Sequence, residues 1–286
     1  MRRLVIAIVV TGAVGTAAAL AAVDPTKLPL GDGKVTTSGP KRGWVYACQP
    51  ARGGQAPTGP WIQGSTWDST QKVAVSGSVK WRSTTAFRAA GRTLRITGNA
   101  LPRHTTGIYP ISSSDPAYQY DRNPNSIRAQ TLAYSLPAQP KVASKPRCVS
   151  GGTIGVMLTG SVFFNALDAN GFDAVAHEIQ DRCGGHPAPD GRYHYHSLSP
   201  CAAPGTSTTA HSKLVGYALD GFGIYGKRGL RGKPLTNADL DACHGHTHTI
   251  TWRGKRTRMF HYHATLEYPY TVGCFRATPV HTGPGG

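Results

Sequence analysis

Beyond its first twenty residues the chain has no apolar run of bilayer length, which argues against a membrane span in the mature protein. Its six cysteines include no Cys-x-x-Cys pair, which removes the usual thiolate spacing of a structural zinc site. Acids are scarce: 14 Asp and Glu stand against 31 Lys and Arg in 286 residues, a formal net charge of +17. Such a balance draws a protein toward anionic surfaces, an envelope polymer or lipid head group among them. The basic residues are scattered, however, and no run of them forms a nucleic-acid motif. The densest patch, Lys227 to Lys233 with Arg253 to Arg258, reads as solvated loop. No obvious acid, base and nucleophile arrangement is present either.

What is there begins with an export signal. Met1-Arg2-Arg3 precedes a largely apolar stretch from Leu4 through Leu20, and Ala19-Leu20-Ala21 supplies small residues for cleavage, the layout of a secretory signal peptide over residues 1–21. The expectation is a secreted or cell-envelope protein of about 265 residues, enough for one large domain or two closely packed ones. An oxidising compartment lets disulfides persist. Fifteen connectivities are open to six cysteines, and Cys183 with Cys201 and Cys243 with Cys274 are favoured, leaving Cys48 and Cys148 as a candidate third pair.

The same constellation occurs twice. Asp181-Arg182-Cys183-Gly184-Gly185-His186 leads to Tyr193-His194-Tyr195-His196, and Asp241-Ala242-Cys243-His244-Gly245-His246 leads to Phe260-His261-Tyr262-His263. Each copy also has an upstream Ala-Leu-Asp, at Ala166 to Asp168 and at Ala218 to Asp220, and a downstream cysteine. On a strand, side chains alternate between faces, so each His-x-His puts two imidazoles on one side and its aromatic partners on the other.

High glycine and proline content with short alternating stretches gives an α+β but β-rich fold class, with few short helices, stabilised by disulfides. Lys72 to Trp81 and Arg92 to Thr97 read as half-buried strands, and Thr153 to Leu167 as a central strand. Helices are expected at Asn125 to Tyr134, at Asp173 to Arg182 with Asp173, His177 and Asp181 on one face, and at Asn237 to Ala242 capped by Thr236. The implied organisation is a signal peptide (1–21), an N-terminal β-rich part (22–146) and a pseudo-symmetric duplicated unit (147–286) with repeats near 151–201 and 211–274.

Tyr193-His194-Tyr195-His196 and its second copy, with Ala176 to Asp181, Gly216 to Gly226 and Tyr268 to Cys274, resemble the YHYH domain of secreted bacterial proteins. The resemblance runs from about residue 28 to 278 and is strongest after Gly151. The second copy departs in having Phe260 where the first Tyr stands. What the resemblance implies is a secreted protein, and it brings no established activity.

Function therefore rests on the histidines. Neutral imidazole is the commonest transition-metal ligand, and an imidazole-rich set with tyrosines nearby suits copper or zinc. The candidate metal ligands are His186, His194 and His196 in the first copy and His246, His261 and His263 in the second. His177, His211, His244 and His248 are intermediate cases, Glu178 is a candidate ligand or base, and His104 and His281 have no counterpart in the repeat. Asp168, Asp181, Asp220 and Asp241 are candidates for orienting imidazoles through the second ring nitrogen. Each copy either has its own site or, as expected here, both His-x-His strands face one cleft. The leading function is a secreted metal-binding protein, carrier or oxidoreductase. A zinc hydrolase of the cell envelope is the alternative, with His211, Asp220, His261 and His263 at the metal and Glu178 or Glu267 as base. A non-catalytic envelope or adhesion module is the third.

Overall fold

The computed structural model describes residues 23–202 and 208–280; the expected signal peptide and His281 lie outside them. The N-terminal part is a series of small sheets. β1 (Leu28–Pro29), β2 (Val35–Thr36), β3 (Val45–Tyr46), β4 (Ile62–Gln63) and β5 (Thr66–Trp67) are two-residue strands. β6 (Ala86–Ala90), β7 (Thr93–Gly98) and β8 (Leu132–Pro137) form an antiparallel meander. The expected strand at Arg92 to Thr97 is β7. Lys72 to Trp81 forms no sheet strand, only isolated bridges at Val75 to Asp181 and Val79 to Thr106.

The C-terminal part is one eight-stranded sheet. It holds β9 (Thr153–Met157), β10 (Val162–Phe164), β11 (Gly185–Pro187), β12 (Tyr193–Tyr195), β13 (Leu214–Ala218), β14 (Gly223–Tyr225), β15 (Gly245–Trp252) and β16 (Lys255–His263). Their spatial order is β11-β12-β10-β9-β13-β14-β16-β15. Outward from the central antiparallel β9–β13 pair, each side runs through an antiparallel neighbour, then a parallel one, then an antiparallel edge. Thr153 to Leu167 is thus no single strand. Leu158 to Ser161 turns the chain, with Gly160 at φ 107°, a conformation that favours glycine.

Helix is sparse among the described residues. The run from Asn125 is extended: the Arg128 amide donates to Gly191 O and the Gln130 amide to Asn99 O, so its backbone bonds are spent on neighbouring segments. The second expected helix is a single turn, α1 (Ala174–His177), capped by the Asp173 carboxylate and ended by extended backbone at Glu178. Asp173, His177 and Asp181 therefore share no helical face. Near the third position stands a 3-10 turn, Asn237–Asp239, with a capping box between Thr236 and Asp239.

A single apolar core spans both parts, joining Leu28, Trp61, Ile96 and Leu136 to Ile154, Phe163 and Tyr262. The Trp61 indole donates to Ala176 O at 2.9 Å, fixing the N-terminal part against the turn of α1. All three expected disulfides are present: Cys48–Cys148, Cys183–Cys201 and Cys243–Cys274. Among the described residues no helix is long and apolar enough to cross a membrane.

Candidate metal centre

β12 carries its side chains as the alternation requires. Tyr193 and Tyr195 are buried in the core, and His194 and His196 turn to the other face. β11 lies antiparallel beside it with His186 directly opposite His194. The three imidazoles are 3–4% exposed, and one ring nitrogen of each falls within 4.8 Å of the others. His194 Nδ1 donates to Arg192 O at 3.1 Å and His196 Nδ1 to Asn165 O at 2.5 Å. Both protons are thereby committed to Nδ1. The two Nε2 atoms face each other at 3.0 Å. Burial, with His186 and His196 adding to it, holds His194 well below the ordinary histidine pKa, so His194 offers a bare Nε2 at neutral pH. With its Nδ1 on Asn165 O, His196 turns Nε2 to the same point, and a cation placed there would meet both nitrogens.

Glu178 closes this group. Its Oε2 is 3.1 Å from His196 Nε2 and 3.3 Å from His186 Nε2, yet neither Glu178 Oε2 nor His186 Nε2 has a hydrogen-bond partner. Burial alone would raise the Glu178 carboxyl, and the facing His186 and His196 more than reverse that, holding it well below the usual carboxylate range. The signal for Glu178 lay in its place three residues before Asp181.

The second cluster is larger. β15 and β16 pair so that His246 faces His261 and His248 faces Met259. His211 arrives from the segment before β13, giving five histidines, His211, His246, His248, His261 and His263, whose ligand atoms lie within 4.8 Å of one another. His211 Nδ1 donates to Ser212 O at 2.7 Å and His263 Nδ1 to Gly226 O at 2.6 Å, and their Nε2 atoms face each other at 3.1 Å. His261 Nδ1 donates to Met259 O, two residues back, as His194 does to Arg192 O. The Nε2 atoms of His246, His248 and His261 have no hydrogen-bond partner. Burial lowers the pKa of His261 to about 3 and that of His246 to about 4, with neighbouring imidazoles adding to both shifts.

The six histidines singled out in the sequence thus fall into two groups of three, joined by Glu178 in one and by His211 and His248 in the other. They do not share a cleft. β12 and β16 are separated in the sheet by β10, β9, β13 and β14, so the two His-x-His segments lie in opposite halves of it. His177 is elsewhere, pinned between Pro57 O and the Asp32 carboxylate, and His244 bonds Thr265 Oγ1. His104 Nε2 accepts from the Tyr195 hydroxyl. It also lies near Cys183 and Cys201, but their disulfide withholds both sulfurs from a metal.

The aspartates do not orient imidazoles; backbone carbonyls do. Asp168, Asp181 and Asp241 accept from amides a few residues ahead and hold turns. Asp220 is buried, accepting from the Tyr262 hydroxyl at 2.6 Å and from the Arg276 and Ala277 amides. Of the hydrolase set, His211, His261 and His263 meet, but Asp220 is on the opposite face, and the Glu267 carboxylate accepts from the Asn237 amide.

The Tyr-to-Phe departure between the copies has a physical counterpart. The Tyr193 hydroxyl donates to the Asp181 carboxylate at 2.9 Å. Phe260 has no hydroxyl to offer Asp241, and Arg276 takes over, 3.5 Å from that carboxylate with its guanidinium 5.4 Å from the centre of the Phe260 ring. Tyr193→Phe should therefore cost about 1–3 kcal/mol in urea unfolding, since it leaves a buried carboxylate short of a donor. A loss below about 0.5 kcal/mol would show that the remaining amides suffice.

No curated protein and no solved structure matches the chain. Residues 133–234, which contain Glu178, the whole first histidine cluster and His211, match the model of the YHYH protein family.

Proposed function

We propose that the protein is an extracytoplasmic metal-binding protein that holds one transition-metal ion at each histidine cluster, as a carrier or store. The observation that carries this reading is the pairing of Nε2 atoms. In both clusters two Nδ1 protons are committed to backbone carbonyls while the opposite nitrogens face each other at 3.0 and 3.1 Å. Fixing Nδ1–H on a carbonyl sets the tautomer and aims Nε2, the arrangement that metal-binding histidines use. His186, His194, His196, His246, His261 and His263 are the ligands common to both copies. The three disulfides are in keeping with an oxidising compartment.

The reading also takes the two halves of the sheet as copies of one β unit. His186 faces His194 as His246 faces His261, and Asn165 O and Gly226 O hold the corresponding His196 and His263. Carriage is favoured over hydrolysis at the second cluster because the carboxylate that acts on His246 there, Asp239, is already engaged by Lys233 and Thr236 rather than left to take a proton from a metal-bound water.

Elemental analysis of the purified full chain, before and after stripping and reloading, tests this. Two ions per chain are expected. His194→Ala/His196→Ala should remove one and His261→Ala/His263→Ala the other, with the far-ultraviolet spectrum retained. Metal content unchanged in both double variants, or no bound metal in the parent, would overturn it and favour a stabilising hydrogen-bond role for the histidines.

A further inference from the structure

We infer that the two clusters select different metals: zinc at the first, with Glu178 as fourth ligand, and copper at the second, where His211 and His248 replace the carboxylate. The inference rests on the metal-binding reading above and adds what each site discriminates.

Along three of its six edges the first cluster matches a tetrahedral site. Four ligands at zinc bond lengths of about 2.0–2.1 Å stand about 3.3 Å apart at the corners of a tetrahedron. Three edges are already of that order: His194 to His196 at 3.0 Å, His196 to Glu178 at 3.1 Å and His186 to Glu178 at 3.3 Å. Three neutral imidazoles and one carboxylate satisfy a four-coordinate divalent ion. All three histidines are buried, and three imidazoles with one carboxylate make up the four-coordinate nitrogen and oxygen set that zinc takes.

The second cluster departs from that pattern where the metal would feel it. Counting back from the shared Asp-x-Cys, the place of Glu178 before Asp181 is taken before Asp241 by Ala238. The group contains no carboxylate, and two histidines without a partner in the first cluster are added, His248 two residues beyond His246 and His211 from another segment. Five nitrogen donors exceed what tetrahedral zinc uses. They suit the tetragonal coordination of Cu(II), which for a given nitrogen site binds more tightly than Zn(II). The site is also less enclosed: His211, His246 and His248 are half-buried, and His211 borders a cleft of about 370 Å³ lined by Lys213, Tyr225 and Arg256.

The experiment uses the full chain with its disulfides intact, stripped of metal and given equal amounts of Zn(II) and Cu(II). One zinc and one copper per chain are expected, and the Cu(II) paramagnetic resonance spectrum should show nitrogen hyperfine structure. Glu178→Gln should weaken zinc binding at least tenfold and leave the copper spectrum unchanged. His211→Ala/His248→Ala should weaken copper and leave zinc in place. Ala238→Glu, which needs no ligand removed, should raise the zinc content of the second cluster. Two ions of the same metal in the competition, or zinc affinity indifferent to Glu178→Gln, would overturn the assignment while leaving metal binding itself intact. Absence of both metals from the parent would instead defeat the underlying reading.

Discussion

Serine at both Cys48 and Cys148 is expected to cost the oxidised protein about 4–5 kcal/mol, the largest loss from any one of its three bridges. The bond joins positions 100 residues apart, against 18 for Cys183–Cys201 and 31 for Cys243–Cys274. In the chain-entropy account, stabilisation grows with the loop closed, from about 3 kcal/mol at fifteen residues to nearly 5 at a hundred. The native geometry around the bond survives its loss. The Cys48 amide donates to Val149 O at 3.0 Å and the Val149 amide to Tyr46 O at 2.8 Å, so the two segments stay in register by backbone pairing alone. The cost therefore falls on the unfolded chain, and the variant should keep its fold while its urea midpoint drops. A loss no greater than that for Cys183→Ser/Cys201→Ser would show that loop length does not govern these bridges.

Acid should destabilise the metal-stripped protein steeply, and His244 should account for an identifiable part. Burial lowers His244 and His261 to about 3, against an unfolded value near 6.5. A histidine whose folded pKa is depressed contributes stability above pH 6.5 and loses it as pH falls toward the folded value, because the unfolded chain takes up the proton first. At pH 4.5 that amounts to about 2–3 kcal/mol for each of the two. His246 contributes less, since it is partly exposed and solvent screens its charge. His244→Asn isolates the effect: the backbone there has φ 74°, a conformation asparagine tolerates. The variant should lose about 2–3 kcal/mol less than the parent between pH 7 and 4.5. Parallel losses in the two proteins would mean that His244 is not held neutral.

The candidate site was legible in the sequence to the extent that chemistry follows local period. Alternation alone puts His194 with His196 and His261 with His263, and duplication adds His186 and His246. Glu178 and His211 were noticed but not placed, because what brings them in is the end of a one-turn helix and a segment some fifty residues from its partners. Strand order was not legible. Nothing local distinguishes copies that face each other from copies folded outward about β9 and β13, and the shared cleft failed for that reason. The repeated Ala-Leu-Asp was misleading in a similar way. Asp220 does for Tyr262 what Thr159, not Asp168, does for Tyr195: each bonds a tyrosine hydroxyl from the His-x-His strand. The helix expected from Asn125 failed because its amides found acceptors on neighbouring segments.

The sheet has two outer margins, β11 and β15, and margins are where a sheet recruits strands from other molecules. Each carries a histidine facing one on the strand inside it, His186 against His194 and His246 against His261. An ion held across either pair would act as a rivet, fastening the outermost strand to its neighbour. Loss of metal would remove that fastening at both margins and leave them held by backbone pairing alone, so a depleted preparation at high concentration should be more prone to strand-to-strand association than the loaded one. β15, with eight residues against three in β11, offers the longer margin for that association.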